Sequence, residues 1–135
     1  MKIAFISIAS LALLQVGLVL NILFLRGRHS VYLGAPEDSE HPLFRARLAH
    51  SNAVEYAPIL CILMLCLELY GHQLGFMPWV YGLTVASRYL HALGLLNFNP
   101  NQPNAFRALG MGGTLLTMVG MIASLFWQAG HGLLR

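Results

Sequence analysis

The sequence predicts an all-α membrane protein, a bundle of four transmembrane helices, on three observations. Hydrophobic residues make up 57% of the 135-residue chain and charged residues only 10%. Mean hydropathy is +0.64, well outside the range of a soluble globular domain. Four apolar stretches, about 3–25, 48–69, 75–97 and 105–128, each reach the roughly 20 residues that a helix needs to cross a hydrocarbon core. They consume most of the chain, so residues 1–135 read as one domain with no room for a separate catalytic module.

The first stretch follows Met1-Lys2, and a basic start before an apolar run is also how a secretory signal begins. The run from Ile3 to Leu25 is too long for that, and no small-x-small site precedes Arg26, so it is expected to be a retained span. Gln15 and Asn21 within it suit hydrogen bonds between helices. Gly27 and the Gly34-Ala35-Pro36-Glu37-Asp38 turn end this segment, Gly71-His72 ends the second, and Asn97 to Asn104 separates the third from the fourth. Pro58 lacks a backbone donor and is expected to free the Val54 carbonyl and kink the second helix. Cys61 and Cys66 lie about 140° apart on that helix, which suits small apolar fillers and neither a disulfide nor a metal pair. Glu68 is expected at its watery end. Gly113, Thr117, Gly120 and Ser124 line one face of the fourth helix and permit close packing in lipid. Trp79, Tyr81 and Trp127 fall where an aromatic belt meets the interface.

The net charge of +3 does not indicate a nucleic-acid partner, because the eight basic residues are scattered over helix ends. Their scatter bears on topology instead. Loops one–two and three–four share a side and hold Arg26, Arg28, Arg45, Arg47 and Arg107, against Lys2 and Arg135 opposite. The positive-inside bias therefore predicts a multi-pass protein with these two loops in the cytoplasm.

Ionisable side chains inside a span cost roughly 2.5–3.5 kcal/mol each on insertion scales, so each needs a reason. On the second helix Arg45, Leu48, Asn52, Glu55 and Tyr56 fall within about a third of the circumference, while Arg47 and His50 point elsewhere. On the third, Tyr81, Thr84, Arg88, His91 and Leu95 recur at three- and four-residue steps along one stripe. Arg88 lies well inside its span and must find anionic or carbonyl partners, with Glu55 the evident candidate. A buried ion pair that only orients two helices is the plain alternative. Asn104 is placed to cap the fourth helix, leaving Arg107 in its first turn. A guanidinium there adds to the positive end of the helix dipole and suits an anion such as a thiolate or carboxylate, although an arginine anchoring the helix among headgroups fits the same position.

With those residues in hand, the run Arg47-Leu48-Ala49-His50-Ser51-Asn52-Ala53-Val54-Glu55-Tyr56-Ala57-Pro58 resembles the helix-two signature of the MAPEG family, the membrane-associated proteins in eicosanoid and glutathione metabolism. The likeness continues through Arg88-Tyr89-Leu90-His91, the Gln102-Pro103-Asn104 turn and Arg107-Ala108-Leu109. Chain length and the Asn-Ala-Val-Glu-Tyr wording look most like the small bacterial members, which implies a bacterial plasma membrane. The resemblance implies a homotrimer that binds glutathione as co-substrate between neighbouring subunits, with membrane lipids and a lipophilic small molecule as its other partners. It implies that Asn52, Glu55 and Tyr56 hold the peptide part, that Arg88 belongs to the same pocket, and that Arg107 is the catalytic residue that stabilises the thiolate. His91 and Arg45 are weaker transfers. At Leu48 and Leu95 the sequence departs from many of the family's enzymes, which carry a basic residue and a tyrosine there.

Glutathione presents two carboxylates, one ammonium and a thiol with a free pKa near 8.5, and a receptor for it wants arginines, a carboxylate and a cation near sulfur. The leading expectation is therefore a membrane-bound glutathione transferase or peroxidase acting on lipophilic electrophiles. A non-catalytic lipid-binding or scaffold protein of the same fold is the second, favoured by Leu48 and Leu95. A small transporter or proton relay built on Glu55, Arg88 and His91 is the third.

Overall fold

A computed structural model of the chain describes residues 2–34, 36–69 and 75–132. It contains four helices, α1 (Lys2–His29), α2 (Pro42–Leu69), α3 (Met77–Asn97) and α4 (Ala105–Gly132), and no strand among the described residues. The anticipated Gly71-His72 turn and Ala35 of the first turn lie outside the described residues.

The helices extend past the apolar stretches that announce them. α1 continues four residues beyond Leu25, and α2 starts at Pro42 rather than near Leu48. Hydropathy marks only the hydrocarbon-facing part of a helix, whereas backbone hydrogen bonding carries the helix on into the headgroup layer. Pro42 stands at the first helical position, where a missing N–H costs nothing. His41 caps the helix, its Nδ1 accepting from the Leu43 N–H at 3.1 Å. Pro58 leaves α2 unbroken from Pro42 to Leu69.

α1, α2 and residues Ala105–Gly130 of α4 are long and apolar enough to cross a membrane. α3 is the exception, at 21 residues, because Arg88 and His91 lower its hydropathy. Those polar residues are turned inward: the anticipated stripe of Tyr81, Thr84, Arg88, His91 and Leu95 is buried along its whole length. α2 and α3 each pack on all the other helices, whereas the α1 and α4 backbones make no close approach among the described residues. The outward surface is correspondingly apolar, with Ile6, Leu13, Phe24, Leu116 and Phe126 well exposed, as a lipid-facing surface should be.

Two packing centres hold the bundle. One joins Leu11, Leu60, Met64, Tyr81 and Met121. The other joins Leu18, Ala49, Ala53 and Leu95, with Leu48 against it. Tyr81 is thus a core residue rather than an interfacial one, and its hydroxyl hydrogen-bonds the Glu68 carboxylate. Trp79 and Trp127 do face outward. The buried Gln15 Oε1, anticipated as interhelical glue, finds no partner among the described residues.

The α3–α4 contact depends on small residues, including the anticipated Gly113, where a Cβ would clash with the Ser87 side chain, and two that were not anticipated. A Cβ at Gly110 would stand 2.5 Å from the His91 backbone nitrogen, and one at Gly94 would stand 2.9 Å from that of Arg107. Gly120, anticipated as part of the packing face, has open space beside it. The buried hydroxyls of Thr84, Thr114, Thr117 and Ser124 donate to carbonyls one turn back on their own helices. No polar hydrogen among them is left facing lipid.

At one end of the bundle the two inter-helix loops are laced together. Asn99 donates from Nδ2 to Glu40 Oε1 at 3.2 Å, and Asn101 Nδ2 to the Ser39 hydroxyl at 2.9 Å. The His29 and His41 rings meet edge to face, and Phe98 stacks on Phe106. These loops share one end of the bundle, as an up-and-down order of four helices requires.

Because a backbone cannot move aside as a side chain can, Gly110→Ala should destabilise the bundle by about 1–3 kcal/mol, read as a lowered unfolding midpoint in a denaturing-detergent titration. Gly120→Ala should stay within about 0.5 kcal/mol of the parent protein in the same titration.

Candidate functional site

Arg88 organises the polar interior. Its side chain is 1% exposed, and its Nη2 donates to the Asn52 Oδ1 at 2.6 Å and to the Asn52 carbonyl at 3.2 Å. The guanidinium carbon lies 5.0 Å above the Tyr56 ring, a cation–π arrangement that favours a desolvated cation. Asn52 and Tyr56 are one turn apart on α2, so the helical repeat brings the amide and the ring to the same arginine. The other terminal nitrogen, Nη1, is buried without any partner.

Glu55 is not the residue that holds Arg88. It is exposed on the outside of the bundle, near enough to act on Arg88 electrostatically but not paired with it. The physical reason is angular: Glu55 lies at the edge of the arc shared by Asn52 and Tyr56, and the edge turns outward when the centre of the arc packs on α3. The expected buried ion pair is therefore replaced by an arginine–asparagine pair, and the Arg88 charge has no carboxylate against it. Glu55 instead continues an exposed stripe through Ser51 and Arg47 at four-residue steps. Arg47, Ser51 and His50 border a cleft of about 320 Å³ whose opposite wall includes Arg26 and Ile22 of α1.

His91 and Arg107 tie α3 to α4. The buried His91 ring places Nδ1 3.0 Å from the Arg107 carbonyl, and because a carbonyl only accepts, Nδ1 carries the proton. Asn104 caps α4 as anticipated, its Oδ1 accepting from the Phe106 N–H at 2.8 Å. Arg107 folds back so that Nη1 donates to the Pro100 carbonyl at 2.6 Å, while its buried Nε has no partner. Both guanidinium groups, Arg88 and Arg107, lie within electrostatic reach of the His91 ring. The centre therefore holds two arginines with unfilled donors and no neutralising carboxylate, an arrangement suited to an anionic guest.

Arg45 stands apart from this centre. Its Nε and Nη2 donate to the Ser39 and Glu40 carbonyls, and it borders a separate groove between α1 and α3. Leu48 and Leu95, the two departures, belong to the second packing centre beside the Arg88 pair. The unfilled donors of Arg88 and Arg107 escape a reading of the sequence, which can count charges but not the partners that folding denies them.

Asn52→Leu should cost about 1.5–3 kcal/mol in unfolding by stranding the Arg88 charge, while the double variant Asn52→Leu/Arg88→Met should recover most of that loss. Simple additivity of the two single changes would show that the pair is uncoupled.

No curated protein and no solved structure matches the chain. The family model for the MAPEG family, however, matches residues 4–127, nearly the whole chain, and spans all four helices together with the polar centre. The four-helix membrane bundle and the sequence match agree, and the chain belongs to the MAPEG family.

Proposed function

We propose that this protein is a glutathione-dependent transferase or peroxidase whose site is completed between protomers of a homotrimer. The observation that carries this reading is the outward polar stripe Arg47, Ser51 and Glu55, backed one helix deeper by the unneutralised Arg88. A carboxylate about seven residues inside an apolar stretch is costly against lipid. A second protomer laid over that face removes the cost and encloses a space bounded by a carboxylate and several arginines.

In such a space Glu55 meets the glutathione ammonium, the free Nη1 of Arg88 meets a carboxylate, and Asn52 and Tyr56 hold Arg88 in place. Arg107 sits at the positive end of the α4 dipole with an unfilled Nε, and there it stabilises a thiolate. Lowering the thiol pKa by one unit takes about 1.4 kcal/mol of preferential stabilisation. In the transferase reaction the thiolate attacks carbon, the new carbon–sulfur bond forms, and the leaving group departs with its electron pair. With a hydroperoxide it attacks oxygen, the alkoxide takes a proton, and a second glutathione reduces the resulting sulfenic species to the disulfide and water.

Leu48 and Leu95 favour a second reading, a non-catalytic lipid-binding or scaffold protein of the same fold, because they pack apolar side chains at two positions where many of the family's enzymes carry polar groups. A proton relay has less support: Arg88 donates to Asn52, His91 donates to the Arg107 carbonyl, and neither hydrogen bond leads to Glu55.

An ultraviolet thiolate-difference titration of the purified protein with glutathione, followed by conjugation to an aryl halide, separates these readings. The enzyme should show a thiolate band at neutral pH that disappears as the pH falls through the lowered thiol pKa. Glu55→Ala should abolish binding, whereas Arg107→Ala should bind without the thiolate band and conjugate about 10²–10³-fold more slowly. A flat titration at millimolar glutathione rejects the enzyme in favour of the scaffold.

A further inference from the structure

A second cavity lies away from the polar centre. It is a groove of about 700 Å³ between α1 and α3, walled by Leu14, Leu18, Leu93 and Leu96, with Asn97 and Arg45 at its loop end and Asn21 one turn in from Leu25. Leu13 and Leu25, both on its α1 wall, are twelve residues apart, about 18 Å along a helix. That is roughly the depth of one leaflet of a 30 Å hydrocarbon core. Gly17 leaves the α1 wall open, for a Cβ there would meet nothing within 4 Å.

The groove is chemically graded. Its deep part is apolar, and Tyr89, whose hydroxyl is spent on the Ser10 carbonyl at 3.0 Å, lines it without offering a free donor. Three polar groups lie toward its loop end. Arg45 is fixed there by the Ser39 and Glu40 carbonyls, which hold the guanidinium without cancelling its charge. The nearby Glu40 carboxylate is engaged by Asn99 instead. Asn21, half-buried on α1, makes no side-chain hydrogen bond among the described residues. Asn97 donates to the Leu93 carbonyl, which leaves its own oxygen without a protein partner.

We propose that this groove is a binding site for one anionic phospholipid per protomer, separate from the glutathione site and independent of whether the protein is an enzyme. The phosphate sits by Arg45, the Asn21 amide, one helical turn in from Leu25, donates to an ester carbonyl, and one acyl chain runs past Gly17 toward the bilayer centre. Charge complementarity at the mouth and a length of one leaflet select this occupant over a zwitterionic lipid or a second protein chain.

Native mass spectrometry of the detergent-purified protein, titrated with phosphatidylglycerol, phosphatidylethanolamine or oleate, tests the assignment. One phosphatidylglycerol per protomer should survive activation that strips phosphatidylethanolamine and oleate. Gly17→Leu fills open space and should abolish that retention with the oligomer mass and unfolding midpoint unchanged. Leu93→Trp, from the opposite wall, provides a second filler, and Arg45→Gln should weaken phosphatidylglycerol retention about fivefold without affecting phosphatidylethanolamine. Wild-type retention in both filled variants, equal retention of the two phospholipids, or preferential retention of oleate overturns the proposal. A change of oligomer mass on filling the groove also overturns it, by showing that a protein chain covers this face.

Discussion

A guanidinium sealed between helices of a membrane protein sets the terms for everything packed around it. Arg88 cannot lose its proton and has no carboxylate against it, so its charge is supported by the Asn52 amide, the Asn52 carbonyl and the face of Tyr56. These supports come from α2, and the arginine comes from α3, so the register between the two helices is tied to the chemistry. The support is also incomplete. Nη1 remains unfilled, and in a medium without water an unfilled charged donor is a strong bias toward binding an anion.

The rest of the architecture serves that constraint. α3 is shorter than its neighbours, it turns its polar stripe inward, and it packs on all three. Gly94 and Gly110 allow α4 to approach until the His91 ring reaches the Arg107 carbonyl, which brings the second arginine toward the first. At the loop end, the Glu40–Asn99 and Ser39–Asn101 bonds keep the start of α4 from drifting away. Distances between the arginines are thus governed by backbone contacts, which vary less than long side chains do.

The same economy of polar groups separates the two outward features. The Arg47–Ser51–Glu55 stripe holds charges of both signs, which suits a zwitterionic peptide and a polar protein neighbour. The α1–α3 groove has one cation at its mouth and hydrocarbon below, which suits an amphiphile. Arg45 and Glu55 belong to these different surfaces although they share a helix and a narrow arc, because Arg45 lies at the loop level and Glu55 well within the span.

Much of this molecule was legible in its amino acids. Hydropathy located all four helices, periodicity found the buried stripe of α3 from Tyr81 to Leu95, and residue type found the Asn104 cap, since each depends on neighbours within a few residues in the chain. The signature on α2 also sufficed to suggest the MAPEG family, which the match over residues 4–127 established. What only tertiary structure decided was pairing: that Arg88 takes Asn52 rather than Glu55, that the core residue Tyr81 meets the half-buried Glu68, and that Gly110 joins Gly113 at the close helix contact while Gly120 does not. A helical wheel gives each side chain a direction around its own axis. Which directions become interior depends on how four helices rotate and approach together, and a residue at the edge of an arc, as Glu55 is, can be turned in or out by that choice alone.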